Sequence, residues 1–176
     1  MPVKVKRTRK LVPRRAAIDN VKKDEMLAVL VRNPDAFDQA REFLPVDRVR
    51  RISEAHGLIW RVVTEFVEAR NRMPARGLLL SGVQQAVAND PDLLDDDEIE
   101  QVNALITLFY DDASHGYDLS KAGPHVQEAI DTCKAVLDEQ EAKDLFDMLL
   151  VDGTITTATW EGQIRPYLED CDTVEA

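Results

Sequence analysis

Apolar residues recur at three-and-four spacing through most of this chain, a pattern that predicts helices and not strands. The first stripe is Met26, Leu27, Leu30 and Val31, preceded by Asp24 as an N-cap. Asn33-Pro34 ends that helix and opens the next, since Pro suits a first helical position; Ala36, Phe37, Ala40, Phe43 and Leu44 fit a short second helix closed by Pro45. From Asp47 to Arg72, Val49, Ile52, Ala55, Ile59, Val62, Val63, Phe66 and Val67 form the strongest periodic segment, with a break near Ser53 or Gly57. Pro74 stops it. Leu78, Leu79, Val83, Val87 and Ala88 then predict a shorter helix ended by Asn89-Asp90-Pro91. Ile99, Val102, Leu105, Ile106 and Phe109 make another, entered through Asp95, Asp96, Asp97 and Glu98, whose charges complement the positive end of its dipole.

Residues 111–123 are small, polar and turn-forming, and mark a boundary. Beyond them Pro124 opens a helix with the stripe Val126, Ile130, Cys133, Leu137, Leu145, Met148 and Leu149, weakened by polar Gln140 and Glu141 and ended by Asp152-Gly153. Ile155, Trp160, Ile164, Tyr167 and Leu168 supply the apolar face of a final helix from about Thr156 to Glu169. The expected architecture is all-α: a small orthogonal helical bundle followed by a long helical hairpin. Its parts are a basic flexible arm over 1–23, a helical head over 24–112, a linker over 113–123, the hairpin over 124–170 and a tail over 171–176. Two helices alone cannot bury both stripes, so Ile130, Leu137, Trp160, Ile164 and Leu168 are the candidate self-association residues.

Composition fits this picture: 44% of the 176 residues are hydrophobic, only 6% are aromatic and 7 are Gly, which argues against sheet-rich, collagen-like and wholly disordered classes. Two cysteines, Cys133 and Cys171, make neither a disulfide scaffold nor a four-thiolate zinc site. No apolar run approaches the roughly 20 residues of a membrane span, and the basic start lacks the apolar stretch of a secretory signal. A cytoplasmic protein without membrane partners is therefore expected. The net charge of -11 conceals an asymmetry. Lys4, Lys6, Arg7, Arg9, Lys10, Arg14 and Arg15 stand in the first 15 residues with no acid, leaving 15 basic residues against 33 acidic ones in the rest. An acidic body repels phosphate, whereas the arm is either a solvated leader or a grip on single-stranded DNA that works by counterion release.

Enzymatic signatures are wanting. His56, His115 and His125 show no metalloprotease spacing; His56, beside Gly57 on an apolar helix, reads as structural before it reads as a ligand or base. Cys133 lies in an apolar stripe as a small hydrophobe. A calcium loop starting at Asp90 needs Gly where Asp95 stands and Glu where Gln101 stands. Gly77 and Gly82 have the spacing of a phosphate-binding loop, but Val83 and Gln84 replace its Lys and Ser/Thr. No catalytic, cofactor or metal site is expected, and the chain reads as an interaction module.

Met26-Leu27-x-x-Leu30-Val31-x-Asn33-Pro34-x-Ala36-Phe37, then His56-x-x-Ile59-Trp60 leading a long helix to Pro74, then Leu79 and Val83, resemble the N-terminal domain of bacterial DnaB-type replicative DNA helicases. The resemblance covers about residues 24–112, and a helical hairpin follows the helical head in that family too. It implies a non-catalytic scaffold: a collar of heads and hairpins above the motor ring, self-associated as dimers or a hexamer, in contact with primase or a helicase loader during DNA replication. ATP and magnesium would belong only to a RecA-like motor domain, which lies outside this sequence.

The family's Gly-Gly-x-x-Tyr-Leu signature is replaced by the acidic 95–98 stretch and by Leu108-Phe109-Tyr110, which suggests a divergent, phage-encoded relative. Two alternatives stay open: the helicase-binding domain of a primase, and a stand-alone phage adaptor or regulator that uses the basic arm on nucleic acid.

Overall fold

Asn33 shows how local chemistry sets the first corner. Its side chain accepts hydrogen bonds from the amides of Asp35 and Ala36 at 3.1 and 3.2 Å, capping α2 (Pro34–Arg41) directly after α1 (Asn20–Arg32) ends. The computed structural model describes residues 10–13, 18–121, 123–151 and 171–175. Helices dominate them in order: α3 (Val46–Arg50), α4 (Glu54–Arg70), α5 (Arg76–Asn89), α6 (Asp96–Phe109), α7 (Asp112–His115) and α8 (Gly123–Val151), with a 3-10 turn at Leu119–Lys121. The all-α class holds; among the described residues the other regular structure is one antiparallel pair of short strands, β1 (Lys10–Pro13) and β2 (Cys171–Glu175).

The chain divides into two compact units. The larger, Asn20–Cys133, is the helical head. Its core takes Met26 to Val31 of α1, every one buried, together with Phe37, Leu44, Val49, Ile59, Trp60, Leu79, Ile106 and Phe109. Trp60 is held at both ends: its ring lies 5.1 Å from that of Phe37, and Nε1 donates to the Leu44 carbonyl at 2.9 Å.

The expected break near Ser53 or Gly57 is real, and both residues explain it. Ser53 caps α4 by accepting from the His56 amide at 3.0 Å. A Cβ on Gly57 would lie 2.9 Å from the Arg50 Cα, so α3 and α4 cross where only glycine fits. Asn71, at φ 53, ends α4 in the left-handed region. Asp95 and Glu98 close a reciprocal capping box at the start of α6.

Three boundaries differ from the sequence reading. α1 begins at Asn20, so Asp24 is inside the helix and not its cap. Leu78, expected in the core stripe, is 42% exposed, and the core takes Leu79 and Val83 from α5. The turn-rich stretch after α6 packs onto the head: Leu119 is fully buried, and the head continues into α8 through buried Ala129, Ile130 and Cys133.

The second unit comprises Met1–Asp19 and Lys134–Ala176. Its described parts are the later half of α8 and the strand pair, with Lys10 opposite Glu175, Leu11 opposite Val174 and Pro13 opposite Cys171. α8 runs through Gln140 and Glu141 without a break, and Gln140 is buried. The second arm of the expected hairpin, from Thr156 to Glu169, lies outside the described residues. Among those described, no helix is long and apolar enough to cross a membrane.

Candidate functional site

Three polar clusters in the head carry the chemistry worth testing. The first grows from the cap of α4. With Ser53 at the N-cap, the His56 ring folds back so that Nδ1 lies 2.5 Å from Ser53 Oγ, while Nε2 lies 2.6 Å from Asp24 Oδ1 on α1. Serine, histidine and aspartate thus stand in the connectivity of a hydrolase triad, a set that sequence spacing did not reveal. The surroundings argue for a clamp. His56 is 4% exposed, and Ser53 Oγ is already engaged by the helix amide. With Ser53 at Nδ1 and Asp24 at Nε2, both ring nitrogens have hydrogen-bond partners. The arrangement ties α1 to α4, in keeping with the structural reading of His56.

The second cluster centres on Arg32, at the end of α1. Its guanidinium donates to the Phe109 carbonyl at 2.9 Å and to Asp112 Oδ1 at 2.8 Å, lies 3.8 Å from Asp118, and sits over the Tyr110 ring. The Arg32 hydrogen bond holds the Asp112 carboxyl below the usual carboxylate range. Asp112 also accepts from the Leu119 amide at 3.2 Å. Burial pushes the Tyr110 phenol up to about 12, and its hydroxyl donates to the Pro74 carbonyl at 2.8 Å. This node pins the segment after α6 to the head, and its composition looked like a free linker because turn residues also build docked turns.

The third cluster is a hollow edged by α1 and α8. Tyr117 stacks on His125 with centroids 4.0 Å apart and planes 9° off parallel, and Tyr117 donates to Glu25 at 3.1 Å. Lys22, Glu25 and Glu128 line the hollow with Met26 and Val29 at its floor. Burial, then the Glu25 carboxylate, pushes the Tyr117 phenol up to about 12. Neither this hollow nor any other group of His, Cys, Asp and Glu could hold a metal among the described residues.

Of the candidate self-association residues, Ile130 is 3% exposed within a single chain and Leu137 is half-buried; Trp160, Ile164 and Leu168 lie outside the described residues. Met148, about two turns beyond Gln140 and Glu141 on α8, is 55% exposed. In the basic arm, Lys10 stands in β1, while Lys4, Lys6, Arg7, Arg9, Arg14 and Arg15 lie outside the described residues. Cys133 is buried, as a small hydrophobe in the stripe should be. Gly82 lies where a Cβ would meet Val62 at 2.6 Å, so it serves helix packing at a position the phosphate-loop spacing had singled out. Comparison with protein-family models, with curated proteins and with solved structures finds no match for this chain.

Proposed function

We propose that the chain is a non-catalytic scaffold of a replicative DNA helicase, assembling a collar and contacting primase or a loader during DNA replication. One observation carries this reading. The apolar residues and the histidine of the resemblance, Met26, Leu27, Leu30, Val31, Ala36, Phe37, His56, Ile59, Trp60, Leu79 and Val83, are all buried in one helical unit, while Pro34 of the Asn33-Pro34 turn is exposed, and a 29-residue helix begins in that unit and runs beyond it. The apolar part of the pattern is therefore core in this chain and not a scatter of surface residues. The burial of His56 and the engagement of its ring by Ser53 on one side and Asp24 on the other support a scaffold over an enzyme.

In this reading self-association belongs to the helix that leaves the head, with Leu137 and Met148 as its accessible described residues and Trp160, Ile164 and Leu168 as their partners. Native mass measurement of the full chain tests the proposal. Dimers or hexamers are expected, and a stable monomer across micromolar concentrations contradicts it. Co-purification with a primase or loader encoded beside it is the test of the partner: retention on the intact chain supports the collar, and its absence removes the primase and loader contact.

A further inference from the structure

The charge layout around α5 is opposite to what a solitary helix needs. Anions stabilise a helix N-terminus and cations a C-terminus. α5 instead starts at Arg76, with no acid in its first turn, no side-chain cap from Ala75, and Arg70 and Arg72 just upstream. Asp90 and Asp92 follow its other end, heading a run of six carboxylates over residues 90–98. Asp95 to Glu98 serve the start of α6; Asp90 accepts from the Asp92 amide at 3.3 Å in the turn that ends α5, where two carboxylates face the negative end of the helix dipole.

The arginines are exposed. Arg70 and Arg72 reach only the face of the Phe66 ring, and Arg76 only the Thr107 hydroxyl at 3.4 Å; among the described residues none of the three has a carboxylate partner. Asp92, Asp96 and Asp97 likewise have no basic partner among the described residues, and no Lys or Arg occurs from residue 77 to residue 120.

Between these ends the helix carries no charge from Gly77 to Asn89, in a chain with 31% charged residues. Leu79 and Val83 face the core, and Gly77, exposed Leu78, Ser81, Gln85 and Ala88 face away. A Cβ on Gly77 would meet nothing within 4 Å, so neither packing nor backbone conformation in this chain requires that glycine. The Arg76 contact with Thr107 places α6 antiparallel beside α5, and the outward positions of α6 after Glu100 are uncharged too. The two helices make a plate that is positive at one end, neutral for roughly 20 Å, and negative at the other.

We propose that this plate docks a second copy of the chain about a two-fold axis, α5 antiparallel to α5. The operation brings the Arg70, Arg72 and Arg76 end of each copy over the acidic 90–98 end of the other, twice in one interface. It also covers Leu78 and uses the open space at Gly77 for close helix approach. The occupant is self-complementary by charge, which a nucleic acid or a wholly acidic peptide is not. The contact is separate from the one proposed for the helix leaving the head, and it stands or falls independently.

Two charge-reversed full-length proteins test it. One carries Arg70→Glu, Arg72→Glu and Arg76→Glu; the other carries Asp90→Lys, Asp92→Lys, Asp96→Lys and Asp97→Lys, four lysines against the remaining Asp95 and Glu98, so that this end becomes positive; both also carry Leu137→Glu and Met148→Glu, so that the helix leaving the head does not contribute. Each alone sets like charges against each other, and self-association through α5 weakens by about tenfold or more. Mixed one to one they are complementary at both ends, so native mass spectrometry should show the mixed pair in preference to either self-pair. Wild-type behaviour in both variants, or a mixture that pairs no better than its components, overturns the proposal. In the Leu137→Glu, Met148→Glu protein, association should also weaken between 50 mM and 500 mM salt, because the paired ends lie in solvent; insensitivity to salt in that protein overturns the proposal.

Discussion

Nε2 of His56 lies 2.6 Å from Oδ1 of Asp24, joining α4 to α1 across 32 residues of chain. The ring is almost wholly buried and is bonded to Ser53 on its other side. Removing one member of such a network leaves buried polar atoms without partners, which costs about 1–3 kcal/mol. His56→Ala and Asp24→Ala should each lower the unfolding free energy by that amount in urea titrations, and Ser53→Ala by about 1 kcal/mol through loss of the cap. The double variant His56→Ala with Asp24→Ala should cost less than the sum of the singles, and strict additivity would dissolve the claimed coupling.

Glycine positions make a paired prediction. Gly57→Ala drives a methyl into the Arg50 backbone and should destabilise the head by about 1–3 kcal/mol. Gly77→Ala meets open space in a helix and should stabilise an isolated chain by about 0.5–1 kcal/mol. Thermal melts at low protein concentration check both signs.

Acid stability should depend on the Arg32 node. The folded pKa of Asp112 is depressed by its hydrogen bond to Arg32, so the folded chain resists the proton that the unfolded chain accepts. The stabilisation is complete above the unfolded value of about 3.9 and is lost as pH falls through the lower folded value. Unfolding free energy measured below pH 5 should therefore fall with acid, and Asp112→Asn should flatten that slope. An unchanged acid limb in the variant would show that the node does not contribute.

Much of the head was legible because its signals are local. Asn33-Pro34 as a helix junction, the break at Ser53 and the acidic entrance at Asp95 to Glu98 could all be read from neighbouring residues, and at each a side chain reaches an amide two or three positions on. Asp24 misled for the same reason. The side chain that suits an N-cap also suits a buried imidazole from a distant helix, and only tertiary contact decides between them. The turn-rich 111–123 stretch hid a docked segment, because Leu119 and the Arg32 to Asp112 pair are remote in sequence. On α5, leucines at 78, 79 and 80 fit several helix faces equally, and which one faces the core was set by the close passage of Gly82 against Val62.

The basic arm gives a separate expectation. Lys4, Lys6, Arg7, Arg9, Lys10, Arg14 and Arg15 carry seven positive charges on a chain that is otherwise acidic. If the arm engages single-stranded DNA, the logarithm of the binding constant should fall with the logarithm of salt at a slope of up to about 5, and deletion of residues 1–15 should abolish the binding. Equal affinity before and after deletion would leave the arm without a nucleic-acid role.

Self-assembly is the central claim, and the native mass of the full chain measures it most directly. The scaffold reading predicts a dimer or hexamer at micromolar concentration, shifted toward smaller species by Leu137→Glu with Met148→Glu while the helical content stays unchanged. A monomer at every concentration would contradict it.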